Sequence, residues 1–330
     1  MTNPRVLQVL SCFAVLATIS FGANAQQDVN VSGFLDVGVY RGFDGNKMLG
    51  TIQRSNIAFS GGEDLGGGLS ATWKLSHRLD LDTGTEEGAG RKPFWHGEST
   101  IGLKGGLGHL RLGRALDVVY ANDWAYDPWY NFNRIASPAW NLWHYNYATD
   151  RTGNRGSAEY GRLSRGVFYD SPSLRGVTLH LSGAFKDSAP APGAGTDRNF
   201  GASLNYDSAA ISLMAARSMN SSGDTVKFFG GKYTVGGLQL MGAYDVSVFK
   251  AAVDSEAKVA TLGAVYGLGA TALKVGVGHL DADGLKTAFV GLGADRHLSK
   301  RTTLYVSAGQ NRPKAGNSSS AYGAGLSHSF

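Results

Sequence analysis

From residue 29 onward, short stretches recur in which apolar and polar residues take turns. Val29, Val31, Leu35, Val37 and Val39 alternate with Asn30, Ser32, Asp36 and Gly38. Leu69, Ala71, Trp73 and Leu75 alternate with Ser70, Thr72, Lys74 and Ser76, and Val177, Leu179 and Leu181 with Thr178, His180 and Ser182. Leu238, Leu240, Tyr244, Val246 and Val248 alternate with Gln239, Asp245 and Ser247. Side chains on a strand point to opposite faces in turn, so each stretch predicts a strand with one apolar and one polar face. The joins alternate in length. Short ones such as Leu107-Gly108, Asp207-Ser208 and Val235-Gly236-Gly237 are interleaved with longer polar ones. The longer ones fall near 42–51, 80–93, 115–157, 187–197, 220–224, 249–256, 281–286 and 312–319. The segments number about sixteen, and an even count with short turns at one end and longer loops at the other predicts an all-β transmembrane antiparallel barrel. A secreted β-sandwich also alternates, but it would bury bulky Leu, Ile and Phe on its inner faces. Here many apolar positions are Gly, Ala and Val, with Trp and Tyr near strand ends, as a lipid-facing wall with aromatic girdles requires.

Composition sharpens this picture. Of 330 residues, 47 are Gly, 17% are charged and 11% are aromatic, which excludes a disordered chain. The formal charge of +5 is spread along the chain, so no nucleic-acid partner is expected. Arg5, the apolar run 6–21 and Ala23-Asn24-Ala25 predict a signal peptide over 1–25 and a mature domain over 26–330. Cys12, the single cysteine, lies in that leader, so the mature chain has no disulfide to rely on.

Several stretches carry a resemblance. Val31-Ser32-Gly33-Phe34-Leu35-Asp36-Val37-Gly38, Gly61-Gly62-Glu63-Asp64-Leu65-Gly66-Gly67-Gly68-Leu69 and Gly108-His109-Leu110-Arg111-Leu112-Gly113-Arg114 are three of them. Tyr169-Asp170-Ser171-Pro172, Leu298-Ser299-Lys300-Arg301-Thr302-Thr303-Leu304-Tyr305 and the ending on Phe330 complete the set. Together they resemble the trimeric general porins of Gram-negative bacteria, of the kind found in Bordetella, Burkholderia and Neisseria. The resemblance implies a sixteen-stranded homotrimer among outer-membrane lipids, with a third loop folded into the pore. It also implies that Phe330 is read by the barrel-assembly machinery. Two features depart from the family pattern. Arg296 stands where an aromatic residue usually precedes the Leu-Ser-Lys-Arg turn, and the third loop is unusually rich in Trp, Tyr and Asn.

That loop, 115–157, holds Trp124, Trp129, Trp140 and Trp143 together with Tyr126, Tyr130, Tyr145 and Tyr147. So aromatic a segment is not disordered, and the barrel interior has room to pack it as a constriction. Lys74, Lys104 and Arg111 have polar-face parity; a charge facing lipid near the midplane would cost about 2–4 kcal/mol, so they should face the lumen. Arg54, Arg78, Arg114 and Arg162 lie near strand ends, where parity is less informative, and Arg114 joins the candidates. Asp117, Asp123 and Asp127 on the loop are the carboxylates expected to oppose this basic wall and set up a transverse field. With Asp36 and Glu98 as the nearby wall acids, the expectation is a weak anion preference for small hydrophilic solutes and ions. No histidine pair has metal-binding spacing and no nucleophile elbow is present, so neither metal, cofactor nor catalytic cycle is expected. A barrel enzyme of the outer membrane and a loop-displaying adhesin are the alternative readings.

Overall fold

The alternating stretches become strands. In the computed structural model, which describes residues 28–88, 93–145, 147, 161–185 and 199–330, they form one antiparallel sheet. The predicted leader lies outside the described residues. The first half comprises β1 (Asp28–Arg41), β2 (Lys47–Gly50), β3 (Ser55–Gly66), β4 (Leu69–Asp80), β5 (Thr85–Glu86), β6 (Glu98–Gly105), β7 (Gly108–Leu116), β8 (Arg162–Asp170) and β9 (Val177–Ala184). The second half comprises β10 (Phe200–Asp207), β11 (Ile211–Met219), β12 (Thr225–Val235), β13 (Leu238–Phe249), β14 (Ser255–Leu268), β15 (Thr271–Ala282), β16 (Leu285–His297), β17 (Thr302–Pro313) and β18 (Ser319–Ser329). β2 and β5 are short pieces within loops. The other sixteen, each of 8–14 residues, make a closed wall.

Closure runs through β1. Its residues Asp28–Phe34 pair with β3, and Phe34–Arg41 pair with β18. Gly33 N donates to Phe330 O at 3.0 Å, and Phe330 N donates to Gly33 O at 3.1 Å. A ring leaves no sheet edge, which a wall standing in hydrocarbon requires.

Parity divides the wall as the sequence predicts. Ile101, Leu103, Leu110 and Leu112 on β6 and β7 point outward, while Thr100, Gly102 and Arg111 point inward. Leu262 is 68% exposed, which suits contact with lipid chains and not with water. Tyr206, Tyr233 and Tyr266 sit outside near the short turns, and Phe229 pairs with Tyr244 on the outer face further along, as girdles do.

The turns at one end are short, as in Gly236-Gly237 between β12 and β13. At the other end four connections are long (42–54, 81–97, 117–161 and 185–199) and four are brief. The join expected near 281–286 is a two-residue turn, Asp283-Gly284. Both residues have positive φ, 50° and 85°, the conformation that lets a two-residue turn follow the strand twist. Among the described residues the main buried core lies inside the ring. Val119, Tyr126, Leu142 and Trp143 of the third loop pack there on Val226, Phe228, Val259, Leu280 and Phe289 of the wall.

Candidate functional site

The third loop lies inside the ring because it is capped, anchored and given room. Asp117 ends β7 and its Oδ1 accepts from Val119 N at 2.9 Å, starting α1 (Val118–Asn122). A 3₁₀ turn, Asp123–Tyr126, follows, and further along Ser137 caps α2 (Pro138–Leu142) by accepting from Trp140 N at 3.0 Å. Along the facing wall, glycines replace side chains where the loop passes. A Cβ on Gly291 would lie 1.8 Å from the Ala136 carbonyl oxygen, and one on Gly309 1.9 Å from that of Ile135. Gly230 leaves space for the Tyr126 ring, Gly263 for Pro128 and Gly278 for Leu142. Asn133 Nδ2 donates to Ser307 Oγ at 2.8 Å and Trp143 Nε1 to Thr261 Oγ1 at 3.2 Å, so polar ties reach the same wall.

His144 is the strongest of these ties. Its Nδ1 lies 2.5 Å from Oδ2 of Asp245 on β13, and its Nε2 lies 2.7 Å from Oδ2 of Asp123. Burial alone would lower the imidazole pKa, but the two carboxylates outweigh it and raise it to about 9. A charged imidazolium donating to two carboxylates on either side holds loop to loop and loop to wall.

Opposite the loop the wall is basic. Glu87, fully buried, accepts from Arg78 Nε at 2.6 Å and from Arg134 Nη2 at 3.2 Å, with Arg54 Nε at 4.0 Å. Burial would raise the Glu87 pKa, but Arg78, Arg54 and Arg134 hold it at about 2. Burial and the neighbouring Arg78 lower the Arg54 pKa to about 9, which leaves it charged at neutral pH. Glu87 therefore serves three guanidinium groups, of which Arg134, from the third loop itself, also lies 3.7 Å from Asp80 Oδ1. Arg114 Nε donates to His96 O at 3.2 Å and Arg162 Nε to Gly97 O at 2.7 Å, adding two more cations to this side. The Arg54 guanidinium carbon stands 4.6 Å from the ring centre of Trp140, so a loop aromatic meets the basic wall, and the loop's own Arg134 stands 5.6 Å from the same ring.

A closed barrel, an apolar exterior and an inward loop opposed by arginines describe a diffusion channel. The family description of Gram-negative porins matches residues 12–316. The chain belongs to the Gram-negative porin family. The porin is 28% identical over 340 residues to major outer membrane protein P.IB of Neisseria meningitidis, covering 95% of this chain and 92% of that one. It is 30% identical over 308 residues to P.IB of Neisseria lactamica, covering 84% and 83%. Among solved structures, an anion-selective porin from Comamonas acidovorans superposes with a TM-score of 0.79 at 24% identity, covering 92% of this chain and all of that one. The trimer form of OmpT from Vibrio cholerae superposes at 0.68 and 12% identity, covering 92% and 99%. The porin stands in the outer membrane as a water-filled channel for small hydrophilic solutes, and the family marks it as a channel and not an enzyme.

The structure treats the sequence-predicted charges unequally. Lys74 faces inward and pairs with Glu98 at 2.9 Å. Arg111 also faces inward but is shared between Glu98 at 3.2 Å and Asp170 at 3.0 Å, so its charge is largely matched. Lys104 is exposed at the end of β6, next to the turn, and Arg114 is buried at a bulge in β7. The loop carboxylates do not line the channel as expected. Asp117 is buried, accepting from Ser182 Oγ and Ser218 Oγ besides its cap. Asp127 is buried, accepting from Trp129 N, Asn131 N, Ser137 Oγ and Ala139 N. Asp123 is committed to His144. Each stabilises the loop fold, because a short loop helix or turn leaves backbone donors that a nearby carboxylate satisfies. Asp36, reckoned as a wall charge, is buried too, and it accepts from Ile52 N, Gln53 N and Tyr305 Oη. Arg54, Arg78 and Arg162 stood out in the sequence only as strand-end cations. Glu87, Arg134 and the loop–wall role of His144 were missed. Arg78 could have been found, since it shares the parity of Lys74 and Ser76.

Proposed function

We propose that this porin prefers anions and works as a homotrimer. The observation that carries the preference is the imbalance at the constriction. Arg54, Arg78 and Arg134 are matched by Glu87 and Asp80, with Arg114 and Arg162 beside them, while the three loop aspartates that would have countered them are buried and committed. A net positive, partly desolvated wall lowers the energy of a passing anion more than screened surface charge could. The anion selectivity of the Comamonas porin that shares this fold supports the reading. Trimerisation is supported by the family resemblance and by the trimer form of OmpT. Lys74, Lys104, Arg111 and Arg114 are read as secondary contributors to the basic wall, with Asp117, Asp123 and Asp127 holding the loop 115–157 in place.

The test is the zero-current potential of the purified porin in a planar bilayer under a KCl gradient. An anion-side potential that shrinks as salt is raised supports the reading, and a cation-side potential at low salt overturns it. Migration as an SDS-resistant band that heat converts to monomer tests the trimer. N-terminal sequencing of the outer-membrane form should read from Gln26 if 1–25 is a leader. Deleting Phe330 should reduce surface levels, since its backbone closes β1 through Gly33 and its ring is proposed to mark the chain for the assembly machinery.

A further inference from the structure

A cavity of about 130 Å³ opens between the basic wall and the third loop. Two kinds of group line it. Trp124, Tyr130, Phe132 and Trp140 supply ring faces and edges, and Arg54 and Arg78 supply charge. Trp124 and Tyr130 are each 42% exposed and meet edge to face at 5.8 Å, so they form an open aromatic corner and not a filled core. The Arg54 guanidinium covers Trp140 at 4.6 Å and stands 5.8 Å from Phe132.

The cations are incompletely satisfied. Arg78 gives its Nε to Glu87, but its buried Nη2 meets no hydrogen-bond acceptor among the described residues. Arg54 Nε is buried and likewise meets none, since Glu87 lies 4.0 Å away. Buried donors of charged groups are costly to leave unpaired, so two orphans lining one cavity point to an acceptor that arrives from outside. Two other charged groups reach the cavity, Asp123 and His144. Asp123 Oδ2 is bonded to His144 at 2.7 Å, His144 is shared with Asp245, and Asp123 Oδ1 meets no donor among the described residues, so this end of the cavity is acidic and an anion would sit at the Arg54–Arg78 end.

We infer that this cavity is a binding site for a single-ring aromatic monocarboxylate, with the carboxylate on Arg54 and Arg78 and the ring among Trp124, Tyr130 and Trp140. The inference rests on the anion-preferring reading of the channel and names a solute class for it. An enclosed apolar cavity of roughly 150 Å³ takes up one benzene; this one holds about 130 Å³ and is open at the Trp124–Tyr130 corner, so a single ring enters only in part and the rest lies against that exposed corner. The chemistry fits as well. Guanidinium forks match a carboxylate, and aromatic walls favour a flat ring over a saturated one of similar volume. A small aliphatic anion would satisfy the guanidinium groups but leave the aromatic corner wet.

The experiment uses the full porin in a planar bilayer with KCl at neutral pH. Benzoate, cyclohexanecarboxylate and acetate are added in turn, and the concentration that halves the chloride current is recorded. Benzoate should block at about one tenth of the concentration needed for cyclohexanecarboxylate, the margin that one or two aromatic contacts give. Acetate should be weaker than both. The ratio of the two ring acids within each variant is the readout, so changes in overall conductance cancel. Trp140→Ala should bring the ratio close to one, and Trp140→Phe should restore part of it. If Trp140→Ala does not assemble, Trp124→Ala carries the same arm from the exposed corner. Equal block by benzoate and cyclohexanecarboxylate in the native porin overturns the inference. That result leaves the zero-current potential in KCl untouched, so failure of the aromatic site and failure of the anion preference are distinguished.

Discussion

The two halves of the inner wall solve opposite problems. From β11 to β17 the inward positions include Met214, Ala216, Val226, Phe228, Ala243, Val259, Leu280 and Phe289, with glycines where the loop crosses and a few polar residues such as Asp245, Thr261 and Ser307 that bond to the loop. This half behaves as a protein core whose partner is the third loop. From β4 to β8 the inward positions include Lys74, Arg78, Glu98, Arg111 and Asp170. This half behaves as a surface whose partner is electrolyte. The comparison teaches that one barrel interior can be dry on one side and wet on the other, and that the loop decides which is which.

Cutting the tie between loop and dry wall should have the largest effect. His144→Ala leaves Asp123 and Asp245 buried without their shared cation, a loss of about 3–5 kcal/mol. Noisier and larger single-channel currents, with a lower unfolding temperature, are the expected outcome. Unchanged currents would show that the loop holds its place through packing alone.

The same tie gives a pH dependence. The folded pKa of His144 is raised, so its contribution is fully present below the ordinary imidazole value and is lost as pH rises through about 9. The loss is on the order of 3 kcal/mol. Current noise should therefore climb progressively from about pH 6.5 and level off above about 9, and the His144→Ala variant should lack that rise.

Steric intrusion comes next. Gly309→Val puts a side chain where the Ile135 carbonyl now stands and should cost about 1–3 kcal/mol, with altered conductance. Gly231→Ala, whose Cβ would meet only Leu213 at 3.6 Å on the outer face, should be silent in the same recording.

Charge changes on the wet wall are smallest in energy but most specific. Arg54→Gln should lower the anion-to-cation permeability ratio by roughly five-fold, as about 1 kcal/mol of lost attraction implies. Arg111→Gln should lower it less, because Glu98 and Asp170 already match that charge. Lys104→Gln, at the turn end of β6, should barely move it. Equal shifts for Arg54 and Arg111 would mean that the constriction does not reside at the Glu87 cluster.

Much of the wall was legible because parity is a local property. Lys74 and Arg111 face inward, as their neighbours Trp73, Leu75, Leu110 and Leu112 require. The loop was legible by its length and aromatics, and the inner glycines Gly276, Gly278, Gly291 and Gly293 could have been read as its track. What parity could not reveal is which inward or loop residues the loop itself covers. Asp117, Asp123 and Asp127 have the composition of pore charges and the environment of core anchors. For Asp117 that difference is decided by Ser182 and Ser218 on distant strands, for Asp123 by His144, and for Asp127 by Ser137 and backbone donors of the loop itself. The cluster of Arg54, Arg134 and Glu87 has no sequence signal because the three meet only once three separate loops are in place.

The seam at Gly33 and Phe330 has a kinetic side. β1 and β18 are the most distant strands in the sequence, yet each supplies the other's missing ladder. A chain made from its N-terminus exposes β1 first and must keep its unpaired edge from other chains until β18 exists. Loop-closure entropy makes such a long-range pairing slow, so the route to this barrel spends much of its time as an open, adhesive sheet. The order of manufacture, more than the stability of the finished ring, sets how much protection from misassembly this sequence demands.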